Sequence, residues 1–226
     1  MTTSLPTRNL RRTALAAALL VAVGSLSGCS LFVMAGKMFF GDPKITSMFS
    51  THTGIDLTEG EHELLIVCET PHLVRNKMPT FQYDLTEGVL RRLKQNDVET
   101  VSADKVSKWL DKNGGEFGDP SDLAEDFKAD YIGIVNLNQV RFFEENSQDM
   151  FRGFASGTIR VYEVREVAER RQALQVFSGE FSTEHPRFGP VSMHEMSERV
   201  FQKRFVNHLS QHVARQFHDH RMGDDF

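Results

Sequence analysis

The stretch between residues 150 and 183 constrains the fold most. Residues 150–165 alternate apolar and polar side chains, most plainly in Thr158-Ile159-Arg160-Val161-Tyr162, and residues 172–183 carry Leu174, Val176, Phe177 and Phe181. Alternation with a period of two sends successive side chains to opposite faces, so each run reads as a long strand. Only a charged turn, 166–171, separates the two runs, and a connection that short joins antiparallel neighbours. A third apolar run, 129–143, with Tyr131, Ile132, Ile134, Val135 and Leu137, precedes them across the polar turn 144–149. The three together form a meander.

Upstream of residue 129 the period changes. Residues 64–68 are continuously apolar and predict a buried strand over 64–69. Residues 79–96 predict a helix, because Phe81, Leu85, Val89 and Leu93 recur every four residues and Asp84 and Glu87 supply favourable anions near its start. Residues 97–102, with Val98 and Val101, read as a second short strand. Residues 104–113 read as a helix carrying Val106, Trp109 and Leu110 and stopped by Gly114-Gly115. A short helix, 123–128, follows an N-cap at Ser121 or Asp122. The chain ends in a long helix, 192–218, whose stripe is Met196, Val200, Phe205, Leu209, Val213 and Phe217. The expected order is β-α-β-α-α-β-β-β-α: an α/β fold with a mixed sheet of about five strands covered by helices. Residues 62–226 are expected to form one domain.

The N-terminal region has a different character. Arg8, Arg11 and Arg12 lead into an apolar run at 13–24, followed by Ser25, Ser27 and Gly28. A basic lead, about a dozen apolar residues and a small-residue patch make a secretory signal, and the run falls short of the roughly 20 apolar residues of a spanning helix. Leu26-Ser27-Gly28-Cys29 resembles the lipobox of bacterial lipoproteins. That resemblance implies removal of residues 1–28 and acylation of Cys29, palmitate being a typical chain, so that at least two acyl chains hold the protein to a membrane. It also implies outer-membrane sorting in a Gram-negative host and a place in the periplasm, since Ser30 rather than Asp follows the cysteine. Residues 29–61 are rich in turn formers such as Gly36, Gly41, Pro43 and Gly54 and read as a tether, in which Phe32, Met34, Met38, Phe39 and Phe40 either dock on the domain or enter the bilayer interface.

Charge and composition exclude some classes of function. The net charge is −5, and the leader holds three arginines and no acid, so the rest of the chain stands near −8. Such a balance opposes phosphate-backbone binding, and no nucleic-acid partner is expected. No Gly-x-Ser-x-Gly elbow, Gly-rich phosphate loop or Cys-x-x-Cys pair occurs, so neither enzyme activity nor a cofactor is expected. Cys68 lies in the apolar run 64–68 and reads as a small buried hydrophobe. His208 and His212 stand four apart on the last helix and make a weak candidate metal pair without a neighbouring Glu. They support an alternative reading as a metal- or small-molecule-binding lipoprotein.

The segments 63–69, 96–106 and 119–142, the last reading "DPSDLAEDFKADYIGIVNLNQVRF", resemble in their order the α/β domain of the curli-secretion lipoprotein and of the lipoprotein activator of penicillin-binding proteins. In that group a Leu-Ala-Glu-x-x-x-Ala-Asp helix runs into a strand, as Leu123 to Asp130 does here. The resemblance covers roughly residues 62–185. It implies a non-catalytic docking, assembly or regulatory role towards another envelope protein. The turn at 142–151 is too short and acidic to supply a membrane-spanning hairpin, which excludes a channel. Its flanking residues Phe142, Phe143, Met150 and Phe151 are the candidate apolar contact for the partner.

Overall fold

The computed structural model describes residues 43–59, 62–114 and 118–221. Residues 45–220 form one compact unit; the other unit, 1–44 with 221–226, contributes only Pro43, Lys44 and Arg221 to the described residues. The leader, the lipobox, Cys29 and the aromatic residues 32–40 lie outside the described residues. The two-residue strands β1, Lys44–Ile45, and β7, His220–Arg221, straddle the boundary between the units.

Within the larger unit the order is α1 (Met48–Thr53), β2 (Leu64–Glu69), α2 (His72–Lys77), α3 (Phe81–Gln95), α4 (Ala103–Lys112), α5 (Pro120–Asp126), β3 (Tyr131–Phe143), β4 (Met150–Val167), β5 (Arg170–His185), β6 (Val191–Ser192) and α6 (Glu198–Ala214). The sheet runs β2-β3-β4-β5, with β6 beside the start of β4. The β2–β3 pair, joined through helices, is parallel, and the hairpin-linked pairs are antiparallel, as the connection lengths require. The α/β class and the mixed five-stranded sheet agree with the sequence reading.

Both faces of the sheet carry a core. On one face α3 and α6 pack through Phe81, Leu85, Val89 and Leu93 and through Phe201, Phe205, Leu209 and Val213, each at most 1% exposed. Burial of a side chain of this size contributes about 1.5–3 kcal/mol. The two helices cross closely at Gly88, where a β-carbon would meet Ser210 Oγ at 2.4 Å, and Arg92 Nη2 donates to Asn207 Oδ1 (2.6 Å) across the same seam. On the other face α4 and α5 cover Leu65, Val67, Ile132 and Ile134. Asp119 caps α5, accepting from Ser121 N–H at 2.7 Å.

Three expectations are corrected. Residues 97–102 do not form a strand of the sheet. Asp97 takes a left-handed φ of 60° and Ser102 already caps α4, so the segment has room for one bridge, Leu64 to Thr100. The fifth strand is β6 instead. Val98 and Val101 are nonetheless buried, one in each core. On α6, Val200 is 45% exposed and Phe201 takes its place in a stripe of strict i+4 spacing. Finally, the region expected to be irregular before residue 60 contains α1, capped by Ser47 and ended by Gly54 at φ 73°. Phe49 is 0% exposed and meets Tyr131 and Phe177 edge-on at 6.0 and 5.9 Å. Phe49 N–H donates to Gln216 O (3.0 Å), and Ser47 N–H to Asp219 Oδ1 (2.8 Å).

Candidate docking surfaces

The turn after β3 brings the four candidate partner residues together, but it turns them inward. Alternation would send neighbours Phe142 and Phe143 to opposite faces of the sheet. A bulge between Arg141 and Phe143 breaks that alternation, and both rings pack on the first core. Phe142 meets Phe81 and Phe205 edge-on at 6.0 and 5.8 Å, while Phe143 lies over Phe151 at 5.4 Å. Phe151 is 0% exposed and stacks on Phe201 at 4.9 Å; Met150 remains half-buried beside β6. These rings pack on the end of the core, Phe151 fully buried and Phe142, Phe143 and Met150 half-buried.

The turn's surface is ionic. Arg152 bridges Glu144 (3.1 Å) and Glu184 (2.9 Å), and Arg141 pairs with Glu145. The Arg152 guanidinium, as donor, holds the Glu144 carboxyl below its usual range. The sequence reading missed the consequence for the sheet. Arg152, Phe154, Ser156, Thr158 and Arg160 alternate along β4 on the face opposite the first core, and the second core reaches only to Tyr162 and Val164. Among the described residues, half of that face therefore has no helix over it. Arg141 lies 5.4 Å above the Phe154 ring, and the Nε atoms of Arg141, Arg152 and Arg160 are buried without a hydrogen-bond partner among the described residues. The placing of Arg152, Phe154 and Arg160 at even-numbered positions of one period-two strand is the signal that could have found this face.

His208 and His212 share a helix face but take different neighbours. His208 Nε2 lies 2.8 Å from Thr183 Oγ1, and its ring stacks on His185 at 4.9 Å; His212 lies 5.9 Å from Phe181. Burial, the larger cause, and the nearby Arg204 hold the His185 pKa below its ordinary value. Among the described residues no group of three metal-ligating side chains comes together. Cys68 is 1% exposed, and burial pushes its thiol up to about 12.

A cleft of about 320 Å³ opens between α3 and α4 along the outer edge of β2, with Cys68, Arg75, Tyr83, Thr86, Val106 and Leu110 in its walls. A second, of about 310 Å³, adjoins it beyond the end of β2 and shares Val67, Arg75, Gln82 and Leu110. Its polar side chains are paired with one another: Asn136 Nδ2 donates to Glu69 Oε2 (2.9 Å) and Thr70 Oγ1 to Gln82 Oε1 (3.3 Å). No helix among the described residues is long and apolar enough to cross a membrane.

No protein-family model matches this chain, and no curated protein matches it. Among solved structures it is similar to lipoprotein GNA1162 from Neisseria meningitidis, at 13% identity over 68% of this chain and 99% of that one, with a TM-score of 0.39. It is also similar to the PelC dodecamer from Paraburkholderia phytofirmans (8%, 78% and 96%, TM-score 0.39). A third is the minor lipoprotein from Acinetobacter baumannii (14%, 69% and 90%, TM-score 0.29). Two of these three are named as lipoproteins.

Proposed function

We propose that this chain is a lipid-anchored protein of the bacterial cell envelope, held at Cys29, whose α/β unit acts without catalysis as a docking, assembly or regulatory module for another envelope protein. The observation that carries the reading is the order of the N-terminal segments: arginines, a dozen apolar residues, then Leu26-Ser27-Gly28-Cys29. Two acyl chains on Cys29 give firm anchoring where a single chain is marginal. Ser30 directs the protein to the periplasmic face of the outer membrane. Two features of the larger unit support docking: the half-face bearing Arg152, Phe154 and Arg160, and the cleft beside β2. Arginine N–H groups anchored on a sheet suit carboxylates of a protein partner.

The test compares the native protein with Cys29→Ala in the producing cell. Mass spectrometry of the N-terminal peptide should show an acylated Cys29 at the new N-terminus, and in-cell cross-linking should recover a stoichiometric envelope protein with the anchored form alone. An unmodified Cys29 would overturn the anchor. Recovery of both forms without a partner would overturn the docking role.

A further inference from the structure

The β4–β5 hairpin runs on past the first core. Val161 is the last buried residue of β4, and Val167 lies six residues further, about 20 Å along the strand. The register sets Val161 opposite Phe177, Glu163 opposite Leu174 and Val167 opposite Arg170. Odd-numbered residues of β4 continue the face of Val161, so Leu174 and Val167 stand on the first-core side of the sheet, beyond the core's end. Helix α1 packs nearby on that side: Phe49 and His52 meet Phe177, three residues from Leu174, at 5.9 and 5.5 Å. Ile45 comes just before α1, and Met48 begins it. Ile45, Met48, Val167 and Leu174 are each 37–43% exposed and belong to neither core.

The place of these residues along the chain identifies what they meet. Ile45 stands sixteen positions after Cys29, so an acylated Cys29 holds this end of the unit within about 55 Å of the lipid even at full stretch. The opposite end, with exposed Phe188, lies beyond His185, eight residues of β5 or about 27 Å further from Phe177. Charge does not oppose a lipid contact at the hairpin. Residues 163–171 carry three carboxylates and three guanidiniums, and Arg165 pairs with Glu163 at 2.6 Å. Apolar side chains beside charged ones suit the boundary between headgroups and acyl chains, the first entering the apolar layer and the second staying in water. We propose that the end of the unit bearing Ile45, Met48, Val167 and Leu174 rests on the membrane surface in which the Cys29 lipid is embedded. This deepens the reading above and rests on its anchor. The contact fixes orientation: Arg152 and Phe154 lie towards the other end of β4, so their half-face stands away from the bilayer, within reach of another envelope protein.

The experiment uses the full-length protein with its anchor, reconstituted in vesicles of phosphatidylethanolamine and phosphatidylglycerol. Met48→Cys, Val167→Cys, Leu174→Cys and, as the control, Phe188→Cys each carry a nitroxide, while Cys68 is too buried to take the label. Collision rates with oxygen, which concentrates in the bilayer, and with a nickel chelate, which stays in water, report the depth of each label. The expected result is an oxygen-to-nickel ratio on the order of threefold higher at positions 48, 167 and 174 than at 188. Val167→Glu combined with Leu174→Glu should return the label at position 48 to the control ratio. Equal ratios at all four positions, or a higher ratio at 188, on protein whose Cys29 is acylated by mass spectrometry, would overturn the proposal and leave the anchor standing. An unmodified Cys29 would remove the anchor and the proposal with it.

Discussion

Replacing Phe49 by Ala tests whether α1 is part of the folded unit. The ring is fully buried between Tyr131, Phe177 and Phe217. Truncating a buried Phe to Ala costs about 3–5 kcal/mol in lost transfer energy and cavity formation. Two edge-on aromatic contacts place this case near the upper end, at about 5 kcal/mol. A domain of this size holds about 5–15 kcal/mol in all and shifts its midpoint by about 2–4 °C per kcal/mol, so Phe49→Ala should lower the melting temperature by about 10–20 °C. Circular dichroism on thermal and urea unfolding reads the effect, with Phe188→Ala as the control. Phe188 is 93% exposed, and its loss should change stability by no more than about 0.5 kcal/mol. A cost below about 1 kcal/mol for Phe49→Ala would refute the reasoning, since α1 would then add nothing to the core.

Gly157→Ala should cost about 3 kcal/mol, at the upper end for overpacking, because the new β-carbon would stand 2.2 Å from the Asn136 carbonyl oxygen; urea midpoints give the value, and a cost under about 1 kcal/mol would refute it. Cys68 should lend stability that is complete below pH 9 and lost as pH rises towards about 12, since the unfolded thiol ionises first; the decline should be shallower in Cys68→Ala, measured by urea unfolding across that window. His185 and His218 both have pKa values lowered chiefly by burial, so the unfolded chain takes up their protons first and stability should fall as pH drops below 6.5. Urea midpoints at pH 7.5 and 5.5 check this, and His185→Phe should remove part of the decline.

Periodicity made α3, β4, β5 and most of α6 legible, because their buried residues recur at helical or strand spacing over many turns. It misplaced Val200 because two apolar residues adjoin there, and only the continuous run Phe201, Phe205, Leu209 and Val213 decides between them. Helix α1 was obscured by the turn formers around it, although Ser47 before Met48 and Gly54 after Thr53 are the cap residues that mark its ends. The fate of the Phe142–Phe143 pair was hidden because a one-residue bulge reverses the face of every later side chain, and nothing local in the sequence announces it. The cleft beside β2 was beyond local reading. It arises where residues 99–101 meet Leu64, more than 30 positions away, and then turn off into α4.

The two bonds from the start of α1 to the end of the larger unit, Ser47 to Asp219 and Phe49 to Gln216, have a topological consequence. They hold the two ends of the larger unit within hydrogen-bond reach, so its backbone is nearly a closed ring. A short linker joining those ends, with new termini in the exposed turn at 144–149, would keep every helix and strand and change only the order in which they are read. The positions of beginning and end are thus separable from the packing, and a circular permutant that folds to the same secondary structure would show it.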